Sequence, residues 1–309
     1  MINIVFELDD KFARHCAAVI VSVMKNHTIA SAEDRIHFFL LCNLTEENRE
    51  KLLSLKQTWD FEISFINVDE TLFAKLPLDN NSPTLYYRLL IPEILPENVE
   101  KIIHLDSDLI LNADIKRLWD IKLDGYLIAA VLDEPKINRK KTYINAGVVV
   151  YNIKALKEFG FCKKWRDYAD VLPQGVKLQY YDQDILNYII DERVLFLEPN
   201  WNVEKYNLSL LTGGNLENLG TLIYSLNIIH YTTQSKPWLP FSEHPLKHLY
   251  IKCAKLTPWG NQAGEHSFFE RMVYLSKLLL KFWIVHPLFF FKAKFWARVK
   301  EYGFVETII

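Results

Sequence analysis

Glycine is scarce in this chain, with ten residues in 309. No Gly-x-Gly-x-x-Gly and no Walker loop occurs among them. A dinucleotide-binding or P-loop mechanism is therefore poorly supported, because both need a glycine-rich turn whose backbone can approach phosphate. Any phosphate bound here must find its positive charge on a metal ion and on basic side chains. Cysteine is rarer still. Cys16, Cys42, Cys162 and Cys253 are scattered, with no Cys-x-x-Cys, which argues against a disulfide framework or a zinc site and fits a reducing compartment. The net charge of −2 argues against a dedicated nucleic-acid binder. No clean apolar run of ~18 residues exists, so a transmembrane span is disfavoured. The first ten residues lack a basic segment and turn acidic too early for a signal peptide.

What is present begins with bulk apolar content. Half the residues are hydrophobic, enough for the core of one large α/β domain or two small ones. The most informative segment is Lys101-Ile102-Ile103-His104-Leu105-Asp106-Ser107-Asp108. A strand-like run leads straight into Asp-x-Asp. Carboxylates two residues apart at a strand end can point the same way. Two like charges at that separation repel unless a cation lies between them. Oxygen ligands favour Mg²⁺ or Mn²⁺. The competing explanation is a surface turn, where Asp-x-Asp also arises by chance.

The apolar pattern predicts strands over 3–8, 35–42, 61–68, 101–105 and 127–132. It predicts helices over 11–26, from a Thr45 cap to about 55, and over 84–95 despite Pro92. Alternating strands and helices imply right-handed crossovers and a largely parallel sheet. Ligands of such sheets sit beyond the carboxyl ends of the strands. Asp9 and Asp10 end the first strand, and Asp106 and Asp108 end a later one. Both pairs are therefore expected at one crevice.

Other residues gain weight jointly. Asn145-Ala146-Gly147 precedes the apolar strand Val148–Tyr151 and reads as a strand-entry turn, or as a small turn that a polar ligand approaches closely. Asp182, Gln183 and Asp184 open a helix. Their spacing favours N-capping and dipole complementarity, with an amide and carboxylates beside a reacting centre as the sharper alternative. His230 ends a strand at 227–230, and Lys236-Pro237-Trp238 follows. A lone histidine there is more often structural. Added to two carboxylates, however, its nitrogen favours Mn²⁺ over Mg²⁺, and a lysine on the next loop can offset phosphate charge. Trp238 either paves a sugar site or fills core. Arg88 is a phosphate or carboxylate partner, or a surface arginine.

From about Arg271 the chain turns aromatic and basic, and Lys277, Lys281, His286 and Pro287 interrupt its apolar stretch. Aromatics with Lys and Arg as the dominant charge suit an anionic membrane surface. The alternative is a helical subdomain packed on the body with snorkelling lysines.

Taken in order, the segments Phe6–Asp10, Thr84–Leu89, His104–Asp108, Tyr143–Gly147, Asp182–Asn187 and His230–Trp238 together resemble glycosyltransferase family 8, especially the bacterial galactosyl- and glucosyltransferases of lipopolysaccharide or lipooligosaccharide core synthesis. The resemblance covers about residues 1–240. It implies a GT-A fold: an α/β, Rossmann-like, mixed but mostly parallel sheet flanked by helices. The expected organisation is a glycosyltransferase domain over 1–260, then a basic and aromatic membrane-associating segment over 261–309. The resemblance implies a UDP-sugar donor and Mn²⁺, with Mg²⁺ as alternative, held by Asp106, Asp108 and His230. It implies nucleoside contacts from Leu8, Asp9 and Lys11, with Ser107 among the donor-binding residues. Arg88, Asn145 and Asp182 would touch the donor sugar. Gln183 would lie near the anomeric carbon, and Thr233 and Lys236 would line the phosphates. It further implies retention of anomeric configuration, a saccharide or lipid-linked acceptor, and a cytoplasmic location, peripheral on the inner face of the bacterial membrane. The chain departs from the resemblance at Glu7 and Leu8, where close relatives carry small residues, at Lys11, and at Thr233. No residue announces itself as a covalent nucleophile: Gln183 is a poor one, and Asp182 or Asp184 would have to reach the far face of the sugar. The rival classes are a glycogenin-like self-glycosylating enzyme and a non-catalytic UDP-sugar-binding protein.

Overall fold

A computed structural model describes residues 1–78, 81–133, 142–173, 175–205, 208, 211, 213, 222–232, 236–262, 269 and 271–277. Strands β1 (Ile2–Leu8), β2 (Ile36–Cys42), β3 (Glu62–Ile66), β4 (Lys101–Leu105), β6 (Ile128–Leu132), β7 (Ile144–Asn152) and β8 (Val194–Phe196) form one sheet in the order β3-β2-β1-β4-β7-β6-β8. The pairings β1·β2, β2·β3, β1·β4 and β6·β8 are parallel, and β7 runs antiparallel to both its neighbours. The sheet is thus mostly parallel, as the alternation of elements implies.

Side-chain alternation divides the core into two layers. Ile2, Ile4, Phe6 and Leu8 of β1 join Phe38, Leu40, Ile103 and Leu105 on one face, under helix α1 (Ala13–Asn26). Val5, Phe39, Leu41, Ile102, Val149 and Tyr151 form the other face. That face is covered by the 3₁₀ segment Pro83–Leu90 and by the helices α5 (Ile153–Phe159), α6 (Phe161–Val171) and α7 (Tyr181–Ile190). Burial on both faces is why these strands read as near-continuous apolar runs. Glu7 and His104 are the exceptions nearest the carboxyl ends. They are polar residues on the second face of two adjacent central strands.

The chain steps outward from β1 to β2 and β3, then returns to β4 on the other side of β1. This reversal makes a crevice between the carboxyl ends of β1 and β4. A two-stranded ribbon closes it. Strand β5 (Leu109–Leu111) pairs antiparallel with β9 (Ile228–His230), placing Leu109 opposite His230. Tyr231 N donates to Asp108 O at 2.9 Å.

Three local expectations need correction. The segment expected as a helix over 84–95 is a 3₁₀ run, Pro83–Leu90, capped by Ser82, followed by a short helix α3 (Ile91–Ile94). Thr45 makes no side-chain cap for α2 (Glu46–Ser54), because its hydroxyl donates to Asp10 instead, at 2.9 Å. Asn145-Ala146-Gly147 is strand rather than entry turn. Non-local bonds extend the strand: Asn187 pairs with both the amide and the carbonyl of Ile144 at 2.8 and 3.0 Å, and Gly147 O accepts from Asp106 N at 2.9 Å.

The four cysteines are buried and unbridged. Among the described residues no helix is long and apolar enough to cross a membrane. Residues 271–277 are helical, and the ring of Tyr274 lies 6.0 Å from that of Phe241. The rest of the basic, aromatic segment, from 278 onward, falls outside the described residues, as does Thr233.

Candidate active site

Strand β4 ends at Leu105, and the next turn carries Asp106 and Asp108 into the crevice. Ser107, between them, faces the other way. It is buried with its hydroxyl beside the thiol of Cys16 on α1. The ribbon register brings His230 alongside the carboxylates. Its Nε2 lies 2.9 Å from Asp108 Oδ1 and 3.4 Å from Asp106 Oδ2. One ligand atom from each of Asp106, Asp108 and His230 falls within 4.8 Å of the others. Two carboxylates and an imidazole nitrogen suit a divalent cation of intermediate hardness.

The tautomer of His230 follows from a chain of hydrogen bonds. Gly147 N–H donates to Asn145 Oδ1 at 2.9 Å. Asn202 Nδ2 donates to that same oxygen at 2.8 Å. The remaining amide atom of Asn202 is therefore its oxygen, and it lies 2.8 Å from His230 Nδ1, which must carry hydrogen. Nε2 then faces the carboxylates and donates to Asp108 Oδ1 at 2.9 Å; loss of that proton to a bound cation would bare the lone pair a metal ligand requires. Glu204 secures the chain by accepting from Asn145 Nδ2 at 3.2 Å and from the Thr232 hydroxyl at 2.8 Å.

Gly147 allows this closeness. A Cβ at that position would lie 2.1 Å from His230 Cε1 and 2.8 Å from Asp106 Oδ2. Fixed positive charge completes the site. Lys236 Nζ contacts Asp108 Oδ2 and donates to Tyr231 O at 2.5 Å. Arg88 donates to Asp106 Oδ1 at 2.8 Å, and its Nε lies 3.0 Å from Asp182 Oδ2.

Titration follows this charge map. Burial opposes ionisation of Asp106, but Arg88 and His230 outweigh it and hold the carboxyl well below the usual range. Asp108 is likewise opposed by burial yet held at about 2 by Lys236 and His230. His230 is pushed up to about 10, because Asp108 and Asp106 overcome its burial. Asp182 goes the other way. Burial, reinforced by Asp106 and Glu7 against the pull of Arg88, raises it to about 7. The same guanidinium also serves Glu7 and Asp106, so its pull on Asp182 does not offset the burial.

The remaining candidates divide. Asp9 Oδ1 accepts from the backbone of Lys11 and Phe12 at 3.0 and 3.1 Å, so it caps the approach to α1 at the crevice. Lys11 is exposed, and Leu8 is core with 1% of its surface accessible. Asp10 does not join the crevice, because Thr45 and Asn48 hold it at the start of α2. Asn145 is buried in the network behind His230. Gln183 accepts from Ala146 N at 2.9 Å and donates to Asp133 at 3.1 Å. Asp184 is engaged by the Tyr143 hydroxyl and by Tyr180 N at 2.8 Å.

The matching family model is described as glycosyl transferase family 8 and spans residues 3–241. The chain belongs to this family. General stress protein A of Bacillus subtilis is 26% identical over 283 residues, covering 85% of this chain and 97% of that protein. The lipopolysaccharide 1,3-galactosyltransferase of Salmonella typhimurium is 22% identical over 281 residues, covering 84% and 80%. Among solved structures, the galactosyltransferase LgtC, crystallised with donor and acceptor sugar analogues, matches with a TM-score of 0.70 at 24% identity. That match covers 84% of this chain and 100% of LgtC, and it establishes that the two share a fold.

Sequence reasoning missed Glu7, His104, Asn202 and Glu204 as site residues. Glu7 carried a usable signal: a carboxylate at the end of a strand buried on both faces needs a partner.

Two outcomes follow from this geometry. If the triad holds a divalent cation, Gly147→Ala is expected to weaken its binding ~10–100-fold, the range for disturbed support of a ligand. Calorimetric titration checks it, and an unchanged affinity contradicts the packing. For Asp182 the folded state keeps a proton that the unfolded chain releases at its ordinary value of 3.8. Its contribution to stability is therefore full below about pH 4 and is lost as pH rises through about 7. Urea unfolding from pH 4 to pH 8 should show this loss, and Asp182→Asn should flatten it; identical pH profiles for the two proteins would refute the assignment.

Proposed function

We propose that this glycosyltransferase moves a hexose, galactose or glucose, from a UDP-sugar to a lipopolysaccharide- or lipooligosaccharide-type acceptor, with retention and an α-linked product. The observation that carries the reading is the convergence of Asp106, Asp108 and Nε2 of His230 at one strand-end crevice. These residues fit Mn²⁺, which when bound supplies charge neutralisation for a departing diphosphate. The similarity to the Salmonella lipopolysaccharide 1,3-galactosyltransferase supports the acceptor class.

The chain's own groups do the rest. Asp9 and the exposed Lys11 meet the nucleoside, while the buried Leu8 offers only backbone. Lys236 and Arg88 add fixed positive charge near the leaving group, preorganised as an oxyanion hole is. Asp182 and Arg88 orient the donor sugar, and Gln183 faces the anomeric carbon. Asp184 is tied to Tyr143 and Tyr180, which disfavours it as a covalent nucleophile. The acceptor hydroxyl attacks from the front side: its oxygen bonds to the anomeric carbon, the bond to the donor phosphate breaks, and the phosphate takes the hydroxyl proton.

The basic, aromatic segment over 261–309 serves this reaction by holding the enzyme on the anionic inner surface of the membrane, where a lipid-linked acceptor resides.

With Mn²⁺ present, UDP release from a panel of UDP-galactose, UDP-glucose and their N-acetyl forms is expected to favour a hexose donor and to stop on chelation. Asp108→Asn should lower turnover ~10²–10³-fold, by analogy with a lost oxyanion donor. Chelator-insensitive turnover would defeat the metal assignment, and mass added to the enzyme's own tyrosines without acceptor would favour self-glycosylation. Removal of residues 271–309 should release the protein from anionic liposomes and spare donor hydrolysis; retained liposome binding would exclude the segment as the anchor.

A further inference from the structure

Beneath the crevice lies a second set of ligand-like groups. Glu7, His104 and Asp106 also bring three ligand atoms within 4.8 Å of one another. This triple shares Asp106 with the first, so it has the form of a second cation position. A protein cation already fills it. Arg88 Nη2 contacts Glu7 Oε1 and donates to Asp106 Oδ1 at 2.8 Å, while Nη1 donates to Ala146 O at 2.8 Å. The other oxygen of Glu7 lies 2.5 Å from His104 Nε2. The side chains of Glu7, Arg88 and His104 are 6%, 8% and 0% exposed, so water does not compete for these bonds.

The anchors of Arg88 differ in what else they face. Asp106 belongs to the triad with His230 and Asp108, and Asp182 opens α7 beside the crevice. Glu7 is committed to Arg88 and His104. It comes from β1, the strand adjacent to β4, and lies on the same face as His104. With Arg88 fixed, Asp106 Oδ1 is occupied and Oδ2 is the oxygen turned toward His230.

We propose that Glu7 is a positioning residue. Braced by His104, it locks the Arg88 guanidinium as a built-in second cation and so sets the rotation of Asp106 in the divalent-cation site. A site built this way takes one exchangeable metal ion and not two. The consequence for metal affinity rests on the metal-dependent reading of the enzyme; the lock on Arg88 does not.

The test uses the full chain with ¹⁵N-labelled arginine. A guanidinium held at several points rotates slowly about its Nε–Cζ bond, so Arg88 should give separately resolved Nη signals, assigned by their loss in Arg88→Lys. Glu7→Ala should collapse them. Glu7→Gln, which keeps the volume and one acceptor, should collapse them in part and keeps the test open if the alanine variant does not fold. In parallel, electron paramagnetic resonance of free Mn²⁺ should show one ion per chain. The Mn²⁺ dissociation constant is expected to rise ~10-fold in Glu7→Gln and up to ~100-fold in Glu7→Ala, as for other groups that orient a ligand. Unchanged Arg88 signals in Glu7→Gln, or a second Mn²⁺ that this variant abolishes, would overturn the proposal. A wild-type chain that binds no Mn²⁺ while its Arg88 signals still collapse in the variants would refute the metal site and support the lock.

Discussion

Asp106 and Asp108 are like charges carried on the same side of one half-buried turn, and the surrounding site is organised by the need to neutralise them. Neither carboxylate can be left alone at this depth, because an unpaired buried charge is severely penalised. Arg88 answers Asp106 and Lys236 answers Asp108. His230 lies against both. What remains is a pair of oxygens and one imidazole nitrogen pointing at a common space. Arg88 and Lys236 approach the pair from either side, while His230 lies between them.

The fold supplies the placement. The sheet reverses its strand order between β1 and β4, so Asp9 and Asp106 emerge from neighbouring strand ends. The β5·β9 ribbon then imports His230 from more than a hundred residues away, with register fixed by Leu109 opposite His230. Antiparallel β7 slides Gly147 beneath the triad, where no side chain fits. His230 is thus set by the β5·β9 ladder, and the turn that carries Asp106 and Asp108 is pinned by backbone bonds from Asp106 N to Gly147 O and from Tyr231 N to Asp108 O, which is how a site is kept within a narrow tolerance.

Much of this was legible from the chain itself, and the failures have a common cause. Asp106, Asp108 and His230 stood at the ends of apolar runs whose strand character is local. The parallel sheet followed from the alternation of such runs. Asn145-Ala146-Gly147 was read as a turn because the partners that make it strand, Asp106 N and the Asn187 side chain, are remote in sequence. Asp10 mirrored Asp9 in the sequence, yet the next helix start claims its carboxylate. Asn202 and Glu204 lie in a stretch with no period to read. Glu7 was visible as a charge in a buried strand, but its meeting with His104 depends on the β1·β4 register, set across about a hundred residues. Local pattern reports which segments are strands; the pairing that assembles polar residues into a network is a global property.

Anomalous diffraction from crystals grown with Mn²⁺ and UDP tests the account at its centre. The expected result is a single manganese peak bonded to an oxygen of Asp106, an oxygen of Asp108 and Nε2 of His230, with Arg88 still bridging Glu7 and Asp106. A peak elsewhere, or His230 turned so that Nδ1 faces the carboxylates, would contradict it.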